Sequence, residues 1–146
     1  VRLPITQEQA FERGEMGLPT VLVIDDQQGM LTVTREILQT HGYAVVTASS
    51  GEEALPIFEQ MLRDPGRRTP GVVITDLRMP GMMGTEVAAR IKRLSPQTRV
   101  IILSAFLEEA RPEELEVAEL AIEKPYDLQR LSRIVGELMV EGSAAE

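Results

Sequence analysis

Apolar residues fall into two alternating patterns along this chain. Val21-Leu22-Val23-Ile24, Val72-Val73-Ile74 and Val100-Ile101-Ile102-Leu103 are short β-branched runs, apolar at odd and even positions alike. That is the pattern of strands buried on both faces. Tyr43 to Ala48 is more polar and predicts a strand nearer an edge, and Leu120 to Ile122 predicts a short fifth strand. Between these runs the apolar spacing is helical. Residues 28–41 carry Met30, Val33, Ile37 and Leu38, and His41-Gly42 predicts the helix end, with Gly42 at positive φ. Residues 51–63 carry Ala54, Leu55, Phe58, Met61 and Leu62, with Pro56 placed near the first turn, where a missing N–H costs least. Residues 84–94 carry Val87, Ala88, Ile91 and Leu94. Residues 127–140 carry Leu128, Leu131, Ile134, Val135 and Leu138 behind Asp127 as N-cap. A shorter helix is expected within 108–119, with Pro112 at its first turn.

A β-α unit repeated five times implies an α/β fold: a doubly wound five-stranded parallel sheet with five helices. The flavodoxin-like strand order 2-1-3-4-5 is the expected one, with functional groups outside the carboxyl ends of the strands. The domain is expected over 20–141. The polar segment 1–19, with Pro4, Gly14, Gly17 and Pro19, reads as a linker or the end of a preceding domain. Asp64 to Gly71 reads as a loop and 142–146 as a flexible tail.

The strand ends carry the candidate chemistry. Asp25-Asp26 follow the first run, Asp76 the third, Ser104 the fourth and Lys124 the fifth. Singly, each has an ordinary explanation. Asp25 or Asp26 could cap the first helix, Asp76 could serve the turn at Pro80-Gly81, Ser104 could be a loop residue and Lys124 a surface lysine. Five such groups at one end of a sheet are harder to obtain by independent caps. Carboxylates brought together repel by about 4 kcal/mol per pair at 4 Å and an effective dielectric near 20, so the cluster calls for a cation. Hard oxygen donors favour Mg²⁺ or Mn²⁺. A divalent ion there would recruit a phosphoryl group, with Lys124 and Ser104 reaching its oxygens and Asp76 as the nucleophile.

Composition narrows the field. The chain has 15 basic and 23 acidic residues, a net charge of −8, which argues against nucleic acid as a direct partner. Without Cys there is no disulfide, zinc ribbon, iron–sulfur site or thiol nucleophile, and the single His41 excludes multi-histidine metal sites. No apolar run approaches the ~20 residues of a membrane span, so a cytoplasmic domain without membrane contact is expected. From Glu108 to Glu123 there are seven Glu and one Arg, a net of −6. That stretch is either a solvated face or a surface for a basic partner.

These residues resemble the receiver domain of two-component response regulators. The resemblance rests on Val21-Leu22-Val23-Ile24-Asp25-Asp26, on Thr75-Asp76-Leu77-Arg78-Met79-Pro80-Gly81-Met82-Met83-Gly84, on Leu103-Ser104-Ala105 and on Lys124-Pro125-Tyr126. His41-Gly42-Tyr43 and Ala48 to Leu55 are also similar, and the likeness runs over about 20–140. It implies that Asp76 accepts a phosphoryl group from the phosphohistidine of a histidine kinase or phosphotransfer domain. It implies that Asp25, Asp26 and Asp76 hold Mg²⁺ (or Mn²⁺), with the backbone carbonyl of Arg78 as a further ligand, and that Ser104 and Lys124 bind the phosphoryl oxygens. Chemistry of this kind is self-catalysed transfer and autodephosphorylation rather than conventional turnover. It also implies that the face built from the fourth helix, fifth strand and fifth helix switches toward a downstream protein or a second copy.

Three departures bear on that face. Ala121 stands where the family usually has an aromatic switch residue, Val117-Ala118 replaces the usual Gly-Ala, and the spacing from Ser104 to Lys124 is slightly short. Phe106 and Arg78 are placed to shield a phosphoryl group from water. Val1 to Ile5 resembles the end of a histidine-kinase ATP-binding domain, so the C-terminal receiver of a hybrid histidine kinase is expected before a free-standing regulator. Two other readings stay open: a Mg²⁺-dependent Asp-nucleophile phosphatase of the haloacid dehalogenase type, and a degenerate receiver acting as a binding module.

Overall fold

The computed structural model describes residues 18–63, 69–105, 107–124 and 127–144, with 141–144 by backbone alone. Five strands, β1 (Thr20–Ile24), β2 (Ala44–Ala48), β3 (Val72–Asp76), β4 (Arg99–Ser104) and β5 (Leu120–Glu123), form one parallel sheet in the order β2-β1-β3-β4-β5. Five α-helices accompany it: α1 (Gln28–Thr40), α2 (Gly51–Arg63), α3 (Gly84–Leu94), α4 (Pro112–Leu115) and α5 (Leu128–Ala144). The expected fold class and strand order are both present.

The two-residue period of the strands sorts the core into two layers. Leu22, Ile24, Val73, Val100 and Ile102 pack with Ala54, Leu55 and Phe58 of α2 and Val87, Ala88 and Ile91 of α3. Val21, Val23, Val72, Ile74, Ile101 and Leu103 face the other way, onto Leu31 and Leu38 of α1 and Leu131 and Val135 of α5. Central β1 and β3 are buried throughout. β5, at an edge of the sheet, is only half-buried, which is why its apolar signal is short.

Several local expectations need correction. The inner stripe of α1 is Leu31, Thr34 and Leu38, while Val33 points outward and is 43% exposed. Leu94 closes α3 on the outside, also at 43%. Both fall at apolar-periodic positions, but the sheet below each helix is already covered by its neighbours on the stripe. Pro56, the sixth residue of α2, lies inside the helix rather than in its first turn. Ser50 explains the start at Gly51, the expected position: its hydroxyl accepts the Glu53 N–H at 3.1 Å, and Glu53 accepts from the Ser49 hydroxyl at 2.9 Å. The helix expected over 108–119 is reduced to a 3₁₀ turn at Leu107–Glu109 and the turn of α4. α5 runs on to Ala144. Residues 1–17, 64–68, Phe106, Pro125, Tyr126 and 145–146 lie outside the described residues, and with them most of the expected linker, part of the 64–71 loop, the Phe106 shield and the last two residues of the tail. Asp127 caps α5 as expected, accepting the Gln129 N–H at 2.9 Å, and Gly42 has φ +91°. No helix among the described residues is long and apolar enough to cross a membrane.

The start of β5 is held by a side chain. Glu119 donates its own N–H to the Val100 carbonyl at 2.9 Å, and its carboxylate accepts the Val100 N–H at 2.6 Å. The same carboxylate pairs with Lys92 of α3 and, at 3.8 Å, with Arg99. Glu119 thus extends the β4–β5 ladder by one side-chain bond. Replacing it with Ala leaves a buried strand N–H and two half-buried cations without their acceptor. We expect Glu119→Ala to cost about 1–3 kcal/mol, and Glu119→Gln, which keeps the acceptor, clearly less, read as shifts of the urea midpoint.

Candidate phosphoacceptor site

Every strand of a parallel sheet ends on the same side, and one further backbone bond beyond three of the strands fixes the residues there. The Asp25 N–H donates to the Ala48 carbonyl at 3.1 Å, Leu77 to Leu103 at 2.8 Å and Lys124 to Ser104 at 2.8 Å. These bonds carry the ladders past β1, β3 and β5, so Asp25, the Asp76–Leu77 peptide and Lys124 are set by the sheet rather than by loops.

Asp76 is the last residue of β3, 7% exposed, with Leu103 as its β4 partner. Asp25 is 4% exposed and accepts the Gln27 N–H at 2.9 Å, while Asp26 faces solvent. Neither aspartate caps α1, whose cap residue is Gln27 with no side-chain bond. The ordinary explanation for this acidic pair therefore falls away. Asp25, Asp26 and Asp76 each bring a carboxylate oxygen within 4.8 Å of the others. Lys124 places its ammonium 2.5 Å from Asp76 Oδ1 and 3.8 Å from Asp25 Oδ2. Ser104, buried at the end of β4, is one residue beyond the partner of Asp76. All five sequence-predicted groups thus meet at one edge of the sheet. Arg78 follows Asp76 by two residues, and its side chain runs outward to Glu109 at 3.8 Å, both half-exposed.

Burial pushes the Asp76 carboxyl up to about 6 from an ordinary 3.8. The Lys124 hydrogen bond and charge oppose that rise, and the nearby Asp25 adds to it. Three oxygen donors with one buried, partly protonated member suit a hard divalent cation, which would favour full ionisation of the set.

Sequence reasoning missed what seats Asp76. An ideal Cβ on Gly84 would lie 2.0 Å from the Asp76 carbonyl oxygen, and the Gly84 N–H donates to Leu77 O at 2.8 Å. The start of α3 is therefore pressed against the strand end, which only glycine allows. The two glutamates that open α2 also divide their work. Glu53 closes the cap, while Glu52 turns to the loop after Asp76 and accepts the Met82 N–H at 2.8 Å. A contact between residues thirty positions apart leaves no periodic trace in the sequence.

Comparisons with known proteins agree with this arrangement. Residues 21–136 match the family model described as the response regulator receiver domain. Sporulation initiation phosphotransferase F of Bacillus subtilis is 31% identical over 113 residues, covering 76% of this chain and 86% of that protein. The autoinducer 1 sensor kinase/phosphatase LuxN of Vibrio campbellii is 30% identical over 131 residues, covering 87% of this chain but only 14% of the kinase. The structure superposes with a TM-score of 0.73 on the response regulator TrrA of Thermotoga maritima, solved in complex with Mg²⁺-BeF, at 30% identity over 83% of this chain and 99% of that one.

The shifted carboxyl makes a stability prediction for metal-free protein. Below pH 3.8 folded and unfolded chains both hold the Asp76 proton. Between 3.8 and about 6 the unfolded chain releases it while the folded chain keeps it, so stability falls as pH rises through that window. We expect a loss of about 2 kcal/mol between pH 4 and pH 7 from this group, absent in Asp76→Asn. Urea titrations of both proteins across that range, with a chelator present, measure it.

Proposed function

Because this chain belongs to the receiver-domain family of response regulators, which act in two-component phosphorelays, we propose that Asp76 is its phosphoacceptor. The observation that carries the assignment is the position of Asp76: buried at the central strand end, between two further carboxylates and the Lys124 ammonium. A carboxylate oxygen of Asp76 attacks phosphorus, the P–N bond of the donor phosphohistidine breaks as the new P–O bond forms, and the imidazole leaves with the electron pair and takes up a proton. The product is an aspartyl phosphate. Lys124, already on Asp76, moves with little displacement onto a phosphoryl oxygen, and the Ser104 hydroxyl donates to another.

Asp25, Asp26 and Asp76, with the Arg78 carbonyl, are the groups that would hold Mg²⁺, the ion their hard oxygens suit. When bound it neutralises charge on the transferring phosphoryl group. Asp25 is fixed by its bond from Gln27 N–H, and Asp26, on the solvent side, is placed to act through water. His41, at the end of α1, lies at the opposite side of the sheet from the carboxylates, so the donor histidine belongs to another domain or protein. Receiver domains take their phosphoryl group from histidine kinases or phosphotransfer proteins, and the kinship with LuxN, of which this chain covers 14%, supports a place within a larger sensor kinase.

The expected output face is α4, β5 and α5. Ala121 on β5 leaves a groove of about 330 Å³ against α5, lined by Leu120, Ile122, Arg130 and Ile134. A small residue here supports a switch that works through strand and loop movement rather than rotation of an aromatic ring.

With acetyl phosphate and Mg²⁺, we expect wild type to gain one labile phosphoryl group by intact mass and Asp76→Asn to gain none. Equal labelling of both, or an unlabelled wild type, would overturn the assignment. Turnover of a generic phosphate ester would favour a phosphatase instead.

A further inference from the structure

We propose that Glu52 is a positioning residue for the phosphoacceptor site, acting through the loop that joins β3 to α3. This rests on the assignment of Asp76 and adds to it a residue from another helix. The loop, residues 77–83, leaves the sheet at Asp76 and carries Arg78, whose carbonyl is the further metal ligand proposed above. Its two ends are tied by backbone: Leu77 N–H to Leu103 O, and Gly84 N–H to Leu77 O, both at 2.8 Å. Between them, the Glu52 carboxylate accepts the Met82 N–H at 2.8 Å. Gly81 has φ +80°, and a Cβ added there would lie 2.8 Å from Glu52 Oε2. Backbone and carboxylate therefore fit closely at two successive residues.

The tie matters because α3 lacks a cap of its own. Its cap residue is Met83, with no side-chain hydrogen bond. The helix start carries partial positive charge, and Glu52 brings a carboxylate to the turn just before it. Gly51 allows that approach: a Cβ on it would meet Val87 at 2.5 Å and Met82 sulfur at 3.0 Å, so the first residue of α2 is packed directly on α3 and its loop. The cap at Ser50 and Glu53 then fixes the direction in which Glu52 leaves the helix. Glu52 thus fixes from α2 the residue just before the α3 cap, and through Gly84 the start of α3 bears on the Asp76 carbonyl.

Three proteins test this: wild type, Glu52→Ala, which removes the acceptor, and Glu52→Gln, which keeps an acceptor oxygen without the charge. Each is measured for Mg²⁺ affinity by calorimetry, for the rate of labelling by acetyl phosphate, and for amide exchange at Met82. An ordinary hydrogen bond changes an equilibrium by about 3- to 10-fold. We expect losses of that size in Mg²⁺ affinity and labelling rate for Glu52→Ala, faster exchange at Met82, and near wild-type behaviour for Glu52→Gln. Thermal melts of metal-free protein should differ little, since Glu52 is exposed. Unchanged affinity and rate in Glu52→Ala, or equal losses in both variants, would overturn the inference. An unlabelled wild type would instead overturn the assignment of Asp76, so the two failures appear in different samples.

Discussion

Three carboxylates held within 4.8 Å of one another are the constraint on which the rest of this structure depends. Left alone they repel, and the folded chain must hold them together before any cation or phosphoryl group arrives. Two devices do this. Lys124 lends a positive charge to Asp76 and, more distantly, to Asp25. Burial, with the neighbouring Asp25 adding to it, raises the Asp76 carboxyl to about 6, so it takes up its proton more readily than an ordinary carboxylate. Both are provisional arrangements. A divalent cation would replace the proton, and a phosphoryl group would draw Lys124 away from the carboxylate, so the resting contacts are the ones that activation must exchange.

Holding such a cluster is a matter of backbone. The parallel register places the ends of β1, β3, β4 and β5 along one edge, and single bonds beyond three of the strands add Asp25, Leu77 and Lys124 to the ladder. Two apolar layers, α2 with α3 and α1 with α5, clamp the sheet from both sides. Charges on this frame have little freedom to move apart.

Much of this was legible in the amino-acid sequence, because buried parallel strands are apolar on both parities and the polar group that ends each run stands out. Asp25, Asp26, Asp76, Ser104 and Lys124 could be named for that reason. The apolar faces of the helices were less legible. Val33 and Leu94 have the right spacing and still point outward, since periodicity gives a stripe and not its width. Glu52 and Glu119 escaped altogether. Each serves a backbone N–H far along the chain, Met82 for one and Val100 for the other, and a glutamate doing so reads in sequence like any solvated one.

The acidic segment looks different once its partners are known. Of the seven glutamates between 108 and 123, Glu119 is committed to Lys92, Arg99 and the Val100 amide, Glu109 lies by Arg78, and Glu114 by Arg111. Glu108, Glu113, Glu116 and Glu123 are exposed beside α4 and β5. The charge facing solvent is therefore smaller than the sequence total and is concentrated on the segment that leads into the edge strand β5. The Arg78–Glu109 pair links that segment to the loop leaving Asp76. Arg78 on this loop and Lys124 at the end of β5 are two cations that lie between the acidic segment and Asp76.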